Sequence, residues 1–533
     1  MTWFEANLLV ILLILPLVGA ALLMLFPASE KRAVKNFALF IALFEFILST
    51  RLVIAFDKAV SGMQYEVMAS WMPSLNINFH VGIDGISLWL VLMTTLLAPI
   101  VVLSAYKAIE ERVREYMVSM LILETAMIGA FVALDLVLFY VFWELMLIPM
   151  YLLIGVFGGE RRIYAAVKFF IFTMVGSLLM LVAILYLYFS YTDPDTGAHT
   201  FEILQLYGLK LPYAAQLLCF LAFALAFAIK VPMFPFHTWL PDAHTEAPTG
   251  GSVILAAVLL KMGTYGFVRF AMPLFPEAAY SMLYPIAVLS VIGIIYGAWV
   301  AMVQPDVKRL IAYSSVSHLG FVMLGLMAAN TIGVQGAIYQ MLNHGVSTGA
   351  LFLLVGVIYE RRHTRMISDF GGLAKVMPMY AAVMLFVCLS SAGLPPLNGF
   401  VGEFLILVGS FTSESLPYAK LFAALAALGV IFSAVYLLWM YRRVFFGRLS
   451  KEENMGLTDL SVREWVVFLP LLVLIVAMGV FPQFFLSRME GSVENFVKDF
   501  RARAIVEEGE EEAKVIKLLP ELHIADKAKG EDK

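Results

Sequence analysis

The chain has 533 residues, 62% of them hydrophobic and 14% charged, with a mean hydropathy of +0.88. A soluble domain is about half apolar and a quarter charged, so water is excluded as the solvent for most of this surface and a lipid bilayer is implied. The net charge of −4 is small and mixed and gives no reason to expect a nucleic-acid partner.

A helical span needs about 20 apolar residues, because a helix rises 1.5 Å per residue across a hydrocarbon core of about 30 Å. The sequence holds about fourteen such stretches, near 5–26, 34–56, 84–106, 115–133, 135–157, 164–190, 211–230, 248–270, 280–302, 307–329, 334–358, 374–411, 417–446 and 463–486. Most are too long and too evenly apolar for barrel strands. The expected class is therefore an all-α polytopic membrane protein whose helices satisfy their own backbone groups. The first stretch has no basic region before it and no small-residue cleavage site after it, so a retained helix is expected rather than a signal peptide. Cys219 and Cys388 each lie inside an apolar stretch and read as small hydrophobes. No cysteine cluster is available for zinc or iron–sulfur, so no cofactor or metal is expected in this chain.

Lys and Arg gather in alternate loops: Lys31, Arg32 and Lys35, then Lys107, Arg112 and Arg114, then Arg161 and Arg162, Lys308 and Arg309, Arg361 to Lys375, and Arg442 to Lys451. The positive-inside rule places these loops in the cytoplasm and both termini on the opposite side. Asp84, ahead of the third span, reads as a helix N-cap, and Asp135 reads as turn chemistry between the fourth and fifth spans. The tail, with its run EEGEEEAK, reads as disordered or as a surface helix.

The seventh and twelfth spans are interrupted. One reads FAIKVPMFPFHTWLPDAH and contains Pro232 and Pro235, and the other reads SSAGLPPLNGFVGEF and contains Gly393, Pro395 and Pro396. Proline removes a backbone donor, and in lipid the freed carbonyls need protein or cavity water to satisfy them. Breaks in corresponding halves suggest inverted repeats with an ion site near the midplane. Pro232 and Pro395 are 163 residues apart, which fits two five-helix units. The expected organisation is an N-terminal three-helix segment over 1–113, repeats over 114–272 and 273–446, a last span within 447–486 and a charged extramembrane tail over 487–533.

The most informative residues are ionisable groups inside apolar stretches. A charge at the bilayer centre costs about 2.5–3.5 kcal/mol on insertion scales, so such residues are functional candidates. Glu144 has at least eight apolar or neutral neighbours on either side and reads as a titrating carboxylate paired with a cation on another span. Lys230, beside the first break, is a candidate for that cation, and Lys261 lies near the middle of its span beside Gly263 and Gly266. His318 and His344 sit among Ser, Thr and Asn residues that can order water. Glu403 follows the second break and is the natural exit. The expected relay runs Glu144, Lys230, Lys261, His318, His344, Glu403. Glu124 is a possible extension at the entry side. His237 and His244 either line a half-channel or cap the next helix. Glu45, on the same span as Arg51, reads as a structural or lipid-headgroup contact.

The segments WELMLIPMY, AFAIKVPMFPFHTWLPDAHTEAPT, VLLKMGTYG, YSSVSHLGF and GFVGEF resemble the antiporter-like membrane subunits of respiratory complex I. The resemblance runs to about residue 485 and does not cover the tail. It implies two inverted five-helix repeats with helices seven and twelve broken, and a glutamate–lysine pair at Glu144 and Lys230. It also implies a central lysine at Lys261, histidines at His318 and His344, and an acid at Glu403 where some relatives carry lysine. It further implies proton translocation coupled to quinone reduction elsewhere, with NADH, FMN, iron–sulfur clusters and quinone held by partner subunits. The implied neighbours are antiporter-like subunits of the L and N types, in a bacterial inner membrane. The same buried residues would also serve a cation/proton antiporter or the membrane subunit of a hydrogenase complex.

Overall fold

A computed structural model describes residues 3–505. Among the described residues twelve helices are long and apolar enough to cross a membrane: α2 (Lys31–Ile54), α3 (Leu88–Ala108), α4 (Val113–Val132), α5 (Leu136–Phe157), α6 (Arg162–Ser190), α7 (Tyr213–Lys230), α9 (Thr249–Leu274), α10 (Leu283–Met302), α11 (Val307–Met327), α12 (Thr331–Arg362), α15 (Ala419–Phe445) and α16 (Val462–Val480). Three shorter apolar helices join them, α1 (Leu8–Met24), α13 (Pro378–Ser391) and α14 (Asn398–Phe411). The remaining labelled helices are α8 (Trp239–Glu246) and α17 (Pro482–Ile505). Over their most apolar stretches α9 and α12 are wholly enclosed by other helices and α11 almost so, whereas α2, α6, α15 and α16 leave most of theirs outward. A helix apolar all round belongs at the centre of a bundle, and the enclosed helices carry Lys261, His344 and His318.

Both proline breaks are real, and their freed carbonyls find donors. Pro232 supplies no N–H, and Ala228 O instead accepts from Met233 N at 2.8 Å. Ile229 O accepts from the Trp239 indole at 2.8 Å. At the second break the predicted span 374–411 is two half-helices, α13 and α14. Gly393 turns the chain between them at φ +75°, a left-handed conformation that favours glycine. Ser347, Ser390 and Asn398 bond one another across the gap at 2.5–3.3 Å.

The chain is not all-α. A two-stranded antiparallel hairpin, β1 (Gln64–Met72) and β2 (Ile77–Ile83), occupies the loop after α2 and turns at Pro73–Asn76. Strand β2 is largely buried against the bundle, with Val81 bridged to Ala133. His80 on β2 has Nδ1 2.6 Å from Glu202 and Nε2 3.5 Å from Glu66. Burial opposes charge on this imidazole, but the bond and charge of Glu202, helped by Glu66, outweigh it and raise the pKa above the usual 6.5. A raised folded pKa contributes stability that is present below pH 6.5 and is lost as pH rises through the folded value. Amide exchange of residues 64–83, corrected for intrinsic rates, is expected to be slower at pH 6 than at pH 9. Equal protection at both would rule out His80–Glu202 as the clasp.

Two acids differ from their sequence reading. Asp135 is the N-cap of α5, accepting from Val137 N and Leu138 N at 2.8 and 3.0 Å. Asp84 is not the cap of α3, which begins after Ser87. It closes the preceding turn through Ile86 N and Ser87 N and forms a buried ion pair, 2.6 Å, with Arg269 of α9. Removing one partner of a buried pair strands the other charge and costs about 3–5 kcal/mol. Arg269→Met is therefore expected to lower the unfolding temperature of the detergent-purified protein by several degrees, measured by tryptophan fluorescence. An unchanged transition would mean that the pair is replaced by water.

The last span ends at Val480 rather than 486, and α17 continues from Pro482. It lies across the bundle's surface: Ser492 Oγ accepts from Gly85 N, Arg501 donates to Ala329 O, and Arg503 donates to the carbonyls of Tyr207 and Pro273. The surface-helix reading fits this part of the tail. Residues 506–533, including EEGEEEAK, lie outside the described residues.

Candidate functional site

Glu144 is half-buried on α5, on the stripe with Val141, Ile148 and Leu152, which are 40%, 60% and 42% exposed. Lys230, the last residue of α7, is buried. Its ammonium lies 5.1 Å from the centre of the Trp143 ring and 5.7 Å from that of Phe169, within cation–π range. Lys230 Nζ and Glu144 Oε1 have no hydrogen-bond partner, and no ion pair joins the two residues. The expected pair is thus open, because Trp143 and Phe169 take the lysine head while Glu144 stands on the outward stripe.

Lys261 lies on α9, one residue beyond a π-helical turn, Leu255–Leu259. A π turn leaves carbonyls out of the regular ladder and recurs at functional sites. Ala256 O accepts from Lys261 Nζ at 2.6 Å. The same nitrogen lies 2.5 Å from His344 Nδ1 on α12. An ammonium has three donors and no acceptor, so one of these two nitrogens must offer a lone pair. The Lys261–His344 pair therefore carries at most one positive charge while the contact is made. Helix α9 comes this close to the end of α7 because Gly263 has no Cβ, which would lie 2.7 Å from Phe227 O and Val231 N.

The row continues on α11 and α14. The His344 and His318 rings are 5.9 Å apart, centre to centre. His318 Nδ1 is 2.8 Å from Glu403 Oε1 on α14, and Gln340 donates to the same oxygen at 3.1 Å. His318 Nε2 lies 3.3 Å from the Tyr436 hydroxyl and 3.4 Å from Ser391 Oγ. A polar cavity with room for about one water lies among His318, Asn343, His344, Ser347, Thr348 and Ser391. His344 Nε2, Asn343 Oδ1, Thr348 Oγ1 and Glu403 Oε2 are buried without partners in this neighbourhood. The spatial order is Lys261, His344, His318, Glu403. The sequence order of the histidines is reversed because α12, not α11, packs against α9.

The accessory candidates separate. His244, fully buried on α8, stacks on Phe352 at 4.6 Å, has both ring nitrogens unpartnered and lies within electrostatic range of Lys261. It caps nothing through its ring. His237 is also buried and packs against Phe234, Tyr296 and Tyr313. Glu124 faces Glu45 between α4 and α2, and apart from each other the two carboxyl groups have no hydrogen-bond partner among the described residues. A headgroup contact for Glu45 is ruled out by its burial, at 0% exposed. No hydrogen bond joins Lys230 to Lys261 among the described residues. The sequence reading passed over Lys308, which is buried and donates to Ala247 O, and Lys168, which pairs with Asp242 at 2.7 Å. In the sequence Lys308, near a span end, counts among the loop charges, and Lys168 is not singled out. Among the described residues no cluster of three His, Cys, Asp or Glu side chains has the geometry to hold a metal.

A helical bundle with two broken membrane helices and a buried lysine–histidine–glutamate row defines an antiporter-like membrane subunit. Residues 133–429 match the family described as NADH:quinone oxidoreductase/Mrp antiporter, TM. NADH-quinone oxidoreductase subunit M of Rhodobacter capsulatus is 47% identical over 514 residues, covering 93% of this chain and 97% of that one. NADH-ubiquinone oxidoreductase chain 4 of Marchantia polymorpha is 44% identical over 488 residues, covering 91% and 96%. A chain of the respiratory complex I structure from Thermus thermophilus with bound NADH superposes with a TM-score of 0.83 at 36% identity, covering 92% of this chain and 99% of that one. The chain belongs to the NADH:quinone oxidoreductase/Mrp antiporter transmembrane family, and the relatives it resembles within it are subunit M and chain 4.

Proposed function

We propose that the chain is a proton-translocating membrane subunit of an NADH:quinone oxidoreductase. It couples quinone reduction elsewhere in the complex to proton movement through Glu144, Lys230, Lys261, His344, His318 and Glu403. The observation that carries this reading is the contact of Lys261 with His344, two buried bases sharing at most one positive charge, within reach of His318 and Glu403. A proton entering at Lys261 raises the cost of one on His344, so charge passes along the row. Moving one charge against 100 mV requires about 2.3 kcal/mol, within what making or breaking a buried ion pair can supply. The open Glu144–Lys230 pair is the input: closing it stabilises the charged lysine, and opening it releases the proton toward Lys261 through water or a side-chain movement.

In this reading the chain carries no redox centre. NADH, FMN, iron–sulfur clusters and quinone belong to partner subunits, and antiporter-like neighbours of the L and N types flank it in a bacterial inner membrane. Both termini lie on the non-cytoplasmic side. Counting α1 as a span and α13 with α14 as one broken span gives fourteen, of which 114–272 and 273–446 form inverted repeats. Glu124 and His244 are accessory groups, and His237 is a packing residue.

The test is a mild-detergent pull-down of the full chain, assayed for NADH:quinone activity and, in vesicles, for acidification. Co-purified NADH oxidation with pumping supports the reading. The Mrp half of the family description favours one second reading, a cation/proton antiporter. A complex without NADH activity but with cation-dependent proton exchange would establish that instead, and co-purified hydrogenase subunits would point to a hydrogenase complex.

A further inference from the structure

A groove of about 540 Å³ runs down the outer side of the bundle between α2, α3, α12 and α16. Every lining side chain is apolar; they include Leu39, Leu43, Leu96, Val346, Val473 and Leu474. Along α3 the lining runs from Trp89 to Leu103, fourteen residues and so about 21 Å at 1.5 Å per residue. That exceeds one leaflet, about half of a 30 Å core. The rim is open to the side, with Leu43 42% exposed and Val473 57% exposed.

One end of the groove is positively charged. Lys35 is one turn beyond Leu39 on α2, and Arg463 is one turn before Val466 and Val467 on α16. Both meet the end of α3 next to Leu103: Lys35 Nζ donates to Tyr106 O at 2.8 Å and Arg463 donates to Ser104 O at 3.2 Å. The two cations lie within electrostatic range of each other, with Lys31 and Glu110 nearby. Arg463 also pairs with Glu360 at 3.3 Å and lies 3.8 Å from Glu464, which is itself held by Arg361 at 2.8 Å. Lys35 keeps two spare donors, and Arg463 Nε is buried with no partner.

We propose that this groove is a binding site for one anionic phospholipid of the bilayer, its acyl chain lying along α3 from Leu103 toward Trp89 and its phosphate held between Lys35 and Arg463. The two cations stand where the headgroup layer of the leaflet facing the Lys- and Arg-rich loops would lie. A phosphate between them relieves their repulsion and takes up the spare donors of Lys35. No residue of the proton row lines the groove, so its occupancy does not depend on the proposed function.

The purified full chain, in its complex, is reconstituted in vesicles containing a phosphatidylglycerol with a diazirine in its acyl chain, illuminated and mapped by peptide mass spectrometry. Adducts on Leu96, Met93 and Val473 are expected to be enriched about tenfold over those on the outward residues Phe40 and Val182, taking roughly one factor of ten from the two cations. The Lys35→Gln/Arg463→Gln double variant should lose that enrichment while outward labelling stays constant. Leu96→Trp, which fills the groove and leaves both cations, should lose groove labelling as well and guards against misfolding of the double variant. Groove labelling equal to outward labelling overturns the proposal. So does equal enrichment with the matching phosphatidylcholine probe, or solvent extraction that yields a quinone in place of phospholipid.

Discussion

Lys261→Met is expected to reduce proton pumping in energised vesicles by about a hundredfold, the low end of what loss of a proton-transfer group costs. Methionine has a similar unbranched shape, so packing on α9 changes little. What disappears is, among the described residues, the only cation in contact with His344 and with Ala256 O. Leaving that acceptor without a donor costs about 1–3 kcal/mol, which lowers stability without preventing assembly. Lys261→Arg separates two roles. A guanidinium keeps the charge and cannot be deprotonated in a protein. If Lys261 only supplies a fixed field, arginine restores pumping; if it takes and releases a proton, arginine is as defective as methionine. Dye-monitored acidification beside NADH:quinone turnover reads both. Wild-type pumping by Lys261→Met would sink the relay.

The residues of the row were legible in the sequence because each breaks an apolar stretch, and lipid makes such breaks costly. The breaks at Pro232 and Pro395 were legible for the same reason, since proline in a span leaves carbonyls that something must satisfy. The order of His344 and His318 was not legible. Chain order fixes which helix a residue is on but not which helix packs against α9. The Asp84–Arg269 pair was hidden because an arginine close to a span end looks as if it reaches for water. Of the two roles expected for Glu45, structural or headgroup contact, the headgroup one arose for a related reason: Arg51, two turns along the same helix, offered a local partner, while the group it faces is Glu124 on another span. The hairpin after α2 has only short alternating runs, and the apolar spans around it drew the reading toward an all-helical chain.

Glu144→Gln is expected to abolish pumping, to below about a tenth of wild type, while leaving the complex assembled. Glutamine has the shape of glutamate and Glu144 is half-buried on an outward stripe, so the fold has little reason to change. The change removes the charge that can close on Lys230. A closed pair at 4 Å is worth about 4 kcal/mol at an effective dielectric of 20, against about 2.3 kcal/mol to move one charge across 100 mV. Toggling this pair is thus large enough to drive one proton, and no other acid near Lys230 offers a replacement among the described residues. Lys230 would then keep only its aromatic neighbours Trp143 and Phe169, which favour the cation but do not switch. Because Glu144 stands on the outward stripe with Val141 and Ile148, a charge in an adjoining subunit can act on it directly. Glu144→Asp tests that geometry: it keeps the charge but shortens the reach by one methylene, so pumping should be partly retained. If Glu144→Gln pumps at the wild-type ratio of acidification to turnover, the open pair is a packing feature and the input lies elsewhere, with the facing carboxyls of Glu124 and Glu45 the next place to substitute.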